Sequence, residues 1–373
     1  MLDNKTPINR RKFLEKSLFS IGGLALLPSN SLKVLSINDW PETGMMARNT
    51  VYKPNTLAIR NLPYENANII RNLEDDECVP WLREVIGEAP AFSPNKKWVE
   101  TPEGYVFASS VQKVKNHPNE PITALPTYGE ENGMWVEVTV PYVNIELANS
   151  NSPWSPWLQG TPTNLWRLYY KQVIWVEDIR TNQDGQIFYQ LKERYGSPGD
   201  VFWADARAFR KISEEEMSPI NPESENKKII VNINQQNLSC FENDNEVFFC
   251  RVSTGIMKDI NWLPDDSFST PVGIHWIWRK LYSLHMSGGA SDSGWDILAV
   301  PWPSLFVGTG VAIHGTFWHN DFGAPKSHGC VNTLPEDAKW IYRWTLPQVP
   351  YSTGDASSVI DEGTRIEVIK PLY

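Results

Sequence analysis

The sequence predicts a mainly β protein. Short apolar segments separated by turn residues run from Leu57 to Ile212, and strict alternation marks Trp135-Val136-Glu137-Val138-Thr139-Val140. The composition agrees: 17 Trp, 28 Pro and 23 Gly among 373 residues suit short strands and turns better than long helices. The strand candidates in the first part lie around Ala67–Leu73, Trp98–Thr101, Tyr105–Val111, Met134–Val143, Leu165–Val176, Ile187–Leu191 and Asp200–Phe209. A weak internal echo links Tyr105–Val114 to Val201–Ile212: an aromatic strand, a short turn, then a basic-apolar pair. A polar stretch at 218–227 reads as a linker. Beyond it, Ile229–Leu238 and Val247–Gly255 read as a hairpin with a longer loop at Glu242–Glu246.

The remaining composition narrows the function classes. A net charge of -10 and a pI of about 5.2 argue against general affinity for nucleic acid or anionic lipid. Four cysteines, Cys78, Cys240, Cys250 and Cys330, are too few for a disulfide scaffold, and none forms a CxxC zinc pattern. Cys240 and Cys250 flank the hairpin loop. They are either a cross-strand pair able to oxidise or two buried small side chains.

The N-terminus reads as an address. Residues 1–16 carry a net charge of +3, and the apolar run Ser17–Leu27 follows. That run would make a helix of roughly 16 Å, too short to span a bilayer comfortably. Arg10-Arg11 followed by Lys12-Phe13-Leu14 resembles the twin-arginine export signal, with Asn9 where Ser or Thr is usual. We therefore expect a leader at 1–36, a linker at 37–56, a β region at 57–217, the 218–227 linker and a second domain at 228–373. The expected location is outside the cytoplasm, in the cell wall or a periplasm-like space. The membrane is met only in transit, unless the leader stays uncleaved.

The chemistry concentrates between His314 and Asn332. This stretch holds Cys330, the histidines His314, His319 and His328, and the chain-bending residues Gly315, Gly323, Pro325 and Gly329. The apolar strand Gly310–Ile313 runs directly into His314. Thr333-Leu334-Pro335-Glu336 has the spacing of a capping box, which would place Cys330 just ahead of a helix N-terminus. A thiol there would lose its proton more easily, and an imidazole would serve it as base. Backbone N–H groups of Gly329 and Cys330 are candidates for an oxyanion site. Spacing does not rank His314 against His328. A zinc site from His314, His319, His328 and Cys330 has acceptable ligand types but no typical ligand spacing.

The stretch resembles the active-site signature of the L,D-transpeptidase (YkuD-type) family: an upstream His-Gly, a short loop, then Ser327-His328-Gly329-Cys330-Val331-Asn332. Further pieces stand in the family's order. They are Lys228-Ile229-Ile230-Val231, Gln235-Gln236, Ser253-Thr254-Gly255, Thr270-Pro271-Val272-Gly273, the flap segment His285–Gly289, and Val311–Thr316. The likeness spans about residues 226–370. It implies a β-sandwich-like catalytic domain with one notable helix and no metal or organic cofactor. It also implies a cysteine acyltransferase acting on peptidoglycan stem peptides, with a 3→3 cross-link as product. Passing the acyl group to water instead would make it a carboxypeptidase. Cys330 takes the nucleophile's place and His314 the proton donor and acceptor's. His328 is the supporting histidine, and Gly329 belongs to the oxyanion turn. Ser327, Asn332, Met286 and His319 are candidate substrate contacts. Around Trp98-Val99-Glu100-Thr101-Pro102-Glu103-Gly104-Tyr105-Val106 the chain resembles small SH3-like β-barrels attached to cell-wall enzymes, which implies a region able to bind glycan or peptide.

Overall fold

In the computed structural model, residues 40, 44–89, 93–128, 131–257, 267–288, 295–359 and 361–371 are described. The expected leader lies outside them. Among the described residues strands dominate, with α-helices only at Pro156–Gly160 and Pro335–Trp344. None is long and apolar enough to cross a membrane.

The first part of the chain builds three larger sheets and two two-stranded ones. Cys78–Pro80, Met46–Asn49 and Val111–Val114 form one. Ile69–Leu73, Leu57–Arg60, Tyr105–Phe107, Lys97–Glu100 and Arg83–Ile86 form the second, in that spatial order. The third has six strands: Glu146–Leu147, Val201–Asp205, Ile187–Lys192, Val173–Thr181, Met134–Val138 and Phe209–Lys211. No closed barrel forms among the described residues, so the SH3-like expectation is met only as far as a mainly β region. The internal echo has a structural counterpart. Both copies are a strand, a 3₁₀ turn (Ala108–Ser110 and Ala206–Ala208) and a second strand.

The alternation at Trp135–Val140 predicts a strand with one wet face. Instead every residue of Met134–Val138 is buried. Val136 and Val138 join the core of the six-stranded sheet, while Trp135 packs into a second core with Tyr282, Trp302, Tyr342 and Tyr351 from the C-terminal part. Glu137 is tolerated there because Lys171 (2.8 Å) and Arg210 (3.0 Å) pair with it.

The C-terminal part has two further five-stranded sheets. The outer one runs Asn245–Arg251, Asn237–Glu242, Lys227–Asn232, Arg365–Ile369 and Gly273–Trp276. The expected longer hairpin loop is a two-residue turn at Asn243-Asp244, with Asn243 at φ +54°. Leu238 faces Cys250 and Cys240 faces Phe248, so the two cysteines are diagonal neighbours; both are buried and free. The inner sheet runs Val331–Thr333, Ala312–Gly315, Ser304–Leu305, Arg279–Leu281 and Asp355–Ser357. A separate hairpin, Ser283–Gly288 with Trp295–Pro301, stands beside it. The helix Pro335–Trp344 buries Ala338, Ile341, Tyr342 and Trp344, its i, i+3, i+4 face.

A buried charge cluster ties the first part to Phe317, two residues past the strand that bears His314. Asp76 accepts from Arg48 (2.5 Å), Arg167 (2.6 Å) and Tyr52 (2.8 Å), and Arg48 also donates to the Phe317 carbonyl (3.0 Å). Removing the one carboxylate would leave two buried guanidiniums without a counter-charge. Asp76→Ala is expected to lose about 3–5 kcal/mol of unfolding free energy in denaturant titrations.

Candidate active site

The two strands Ala312–Gly315 and Val331–Thr333 run parallel, with Ile313 opposite Val331 and His314 opposite Asn332. Extending that register by one residue sets Cys330 opposite Ala312. Side chains alternate across a strand, and paired residues point the same way. Ala312, His314, Cys330 and Asn332 therefore share one face, with His314 diagonal to Cys330. The sulfur lies along the neighbouring strand, with Sγ 4.0 Å from the Gly310 carbonyl oxygen. The half-buried Cys330 packs with Met286, Leu284, Trp278 and Tyr195 around Leu281, Leu305 and Ala312.

The turn before the thiol is held from several sides. The Ser327 hydroxyl donates to the Cys330 carbonyl and accepts from the Gly329 N–H (3.2 Å). Thr270 donates its hydroxyl to the Gly329 carbonyl (2.8 Å) and accepts from the Gly255 N–H (2.9 Å). Lys326 and Ser327 donate their N–H groups to the Thr254 carbonyl (2.9 and 3.1 Å). Thr254 is itself gripped by the Gln236 side chain. Gly329 sits at φ +119°, a conformation that L side chains rarely adopt, so glycine is required there. Its N–H is occupied by Ser327, so in this conformation it does not point out as an oxyanion donor.

The helix expectation needs correction. Pro335–Trp344 has Leu334 at its N-cap and no side-chain cap, and the strand Val331–Thr333 separates it from Cys330. The Thr333 hydroxyl donates to the His314 carbonyl (3.2 Å) instead of closing a capping box. The helix dipole falls off within a turn and does not reach the sulfur. Burial wins, and pushes the Cys330 thiol up to about 11 despite a bond from the Ala312 backbone.

His314 is buried, and its Nδ1 donates to the Gly315 carbonyl at 3.2 Å. That bond leaves Nε2 as the nitrogen with the free lone pair. Burial pulls the imidazole down to about 4, against the pull of that carbonyl. The resting pair is thus a neutral thiol and a neutral base, not a thiolate and an imidazolium.

His319 lies on the same face beyond Asn332. Its Nδ1 accepts from the Asp321 N–H (3.1 Å), and its Nε2 meets the Asn332 amide at 3.0 Å. With Nδ1 accepting, Nε2 carries the proton, so a hydrogen bond here needs the Asn332 amide turned to present Oδ1 in place of the Nδ2 that stands opposite. Burial holds His319 at about 3.

His328 points the other way, to the surface, stacked on Trp295 (centroids 4.5 Å apart, 17° between planes) with Phe268 edge-on at 4.6 Å. The Trp295 ring crosses Gly288, where an added Cβ would come within 2.5 Å of it. The ends of the two hairpin strands at Gly288 and Trp295 thereby sit against the His328 turn. His314, His319, His328 and Cys330 do not gather into a metal-holding cluster, and none exists among the described residues. Sequence reasoning did not single out Trp295 or Phe268 as partners of His328.

Residues 226–368 match the family model of the L,D-transpeptidase catalytic domain (YkuD). Among curated proteins none matches this chain. Similar solved structures include an Enterococcus faecium L,D-transpeptidase variant, at 20% identity and a TM-score of 0.30, covering 40% of this chain and 51% of that one. An L,D-transpeptidase from Stackebrandtia nassauensis is 21% identical with a TM-score of 0.26, covering 43% and 62%. One from Mycobacterium smegmatis is 14% identical with a TM-score of 0.30, covering 61% and 99%. The chain spans about half the length of the Enterococcus protein. All three TM-scores lie below 0.5, so the functional reading rests on the family model and on the geometry above.

Two measurements probe this site. Cys330 alkylation by iodoacetamide, mapped by peptide mass spectrometry, should be about 100-fold slower at pH 7 than for a free thiol. It should keep rising as the pH climbs toward about 11. A plateau near neutrality would mean an ion pair instead. The depressed histidines also predict acid lability. His314 and His319 must gain protons on unfolding, so their stabilisation is complete above 6.5 and is lost as the pH falls toward about 4 and about 3. Melting temperatures measured from pH 7 to pH 4 should fall, and fall less when His319 is replaced by Gln.

Proposed function

We propose that this protein is an exported L,D-transpeptidase-type acyltransferase that acts on peptidoglycan stem peptides through a Cys330 thioester. The observation that carries the reading is the shared face of Cys330 and His314, with the imidazole tautomer set by Gly315, inside the segment that matches the catalytic-domain model.

The chemistry follows from the resting protonation states. Cys330 Sγ attacks the carbonyl of the stem's third residue while His314 Nε2 takes the thiol proton. The C–N bond to the terminal D-alanine breaks, and Nε2 passes that proton to the leaving amine. A thioester remains. The amine of a neighbouring stem then attacks it, gives a proton through Nε2 to the departing sulfur, and leaves a 3→3 amide. A neutral base can do this at neutral pH because burial has already removed its competing proton. Ser327 and Thr270 hold the turn, and Asn332 with His319 extends the polar face along which substrate would lie. Met286 lines its apolar side. No metal enters the scheme. The basic, apolar N-terminal segment supports export, and the SH3-like resemblance supports a wall-binding role for the first β region.

Intact-mass spectrometry with a tetrapeptide stem tests this reading. Expected are an adduct on Cys330, released D-alanine and a cross-linked dimer. Tripeptide alone would indicate water as the acceptor, and no adduct would overturn the assignment. Cys330→Ala should abolish turnover and keep the melting temperature. His314→Gln should lower kcat by ~10²–10⁴-fold.

A further inference from the structure

Among the described residues, the hairpin Ser283–Gly288 with Trp295–Pro301 pairs with no other strand. A two-stranded ribbon is at best marginally stable by itself. This one brings Met286 to the Cys330 cluster and Trp295 onto His328. Besides packing on the inner sheet, it is held by polar contacts from the six-stranded sheet and its loops. Buried His285, on the first hairpin strand, bonds through Nδ1 to Glu193 (2.8 Å) and through Nε2 to Asp296. Glu193 follows the strand Ile187–Lys192, whereas Asp296 is on the second hairpin strand. The other Glu193 oxygen accepts from the Ala299 N–H (2.6 Å). The other Asp296 oxygen accepts from the Ser155 hydroxyl and from the Trp157 N–H (3.0 Å). The His285 N–H donates to the Tyr195 carbonyl (3.0 Å). Leu298 and Ala299 complete the contact by packing into the core of the six-stranded sheet.

We propose that Glu193, His285 and Asp296 form a charged latch by which the six-stranded sheet positions the hairpin beside the Cys330 turn. This rests on the acyl-transfer reading only for its catalytic consequence. The three are positioning residues. None is placed to touch the reacting atoms, and their effect passes through Met286 and Trp295. The region before residue 218 is then part of the frame of the active site, whatever else it binds.

With both ring nitrogens donating to carboxylates, the ring is held as an imidazolium. Burial opposes the charge, but Glu193 and Asp296, the charged groups that act on it from the two elements, raise His285 to about 9. Since 6.5 is its ordinary value, the latch contributes fully below pH 6.5 and is lost as pH rises through about 9.

The test uses the full chain and Glu193→Gln, which keeps the shape and removes the charge, with Asp296→Asn as the second variant should the first fail to fold. Hydrogen exchange at pH 7 should be about tenfold faster in the amides of 283–288 and 295–301, with Lys227–Asn232 unchanged. The rate of Cys330 acylation by a tetrapeptide stem should fall about tenfold at pH 7. The ratio of wild-type to variant rates should then close toward one above pH 9, a profile that a purely structural contact would not produce. Unchanged hairpin exchange, or a rate ratio flat from pH 7 to 10, overturns the latch. If the wild-type protein is never acylated, the functional reading fails while the exchange arm still decides the latch.

Discussion

Parallel pairing between Ala312–Gly315 and Val331–Thr333 is the constraint on which the site depends. It is short, yet its register decides which side chains meet. A one-residue slip would send His314 and Cys330 to opposite faces. The clamps around the loop guard against that slip. Ser253 exchanges N–H and carbonyl bonds with Asn332, both at 2.9 Å, and Thr254 accepts from Lys326 and Ser327. The residues that hold the turn therefore come from segments 59 to 79 positions upstream in the chain, as the contact of Thr270 with Gly329 and the pairing of Ser253 with Asn332 illustrate.

Burial sets the electrostatics of this face. The thiol and the imidazole are both pushed toward their neutral forms, and Gly315 settles which nitrogen is basic. On the proposed mechanism, the cost of forming charge is deferred to the moment of attack, when proton transfer and bond formation coincide. A few steps away the opposite solution operates. His285 is also buried, but two carboxylates surround it, and it keeps its charge. The same residue type is thus held neutral in one place and as a cation in another, and only its neighbours differ.

The two parts of the chain are bound by polar as well as apolar ties. Trp135 packs with Tyr282 and Tyr351, Arg48 reaches the Phe317 carbonyl, and Glu193 reaches His285. Such contacts carry no local signature. Glu193 sits in an ordinary stretch of strand and turn, and nothing near it in the sequence announces a partner 92 residues away. Trp295 and Phe268 are equally silent, since a Trp in a strand is most often core. The capping-box reading failed for a related reason. Thr333 has the right spacing, but the carbonyl of His314, brought alongside by the sheet, competes for its hydroxyl.

From sequence alone came the mainly β class, the echo that becomes strand, 3₁₀ turn and strand, and the gathering of reactive side chains between His314 and Asn332. These rest on local patterns: alternation, turn residues and residues of unusual reactivity set close together. Tertiary structure alone decided that Met134–Val138 is buried on both faces, that His328 faces outward while His314 shares the face of Cys330, and that the thiol rests protonated. Each of these depends on which distant segments exclude water from a group and which bring it a charge or a hydrogen-bond partner. That information is in the packing of the whole chain and in no single stretch of it.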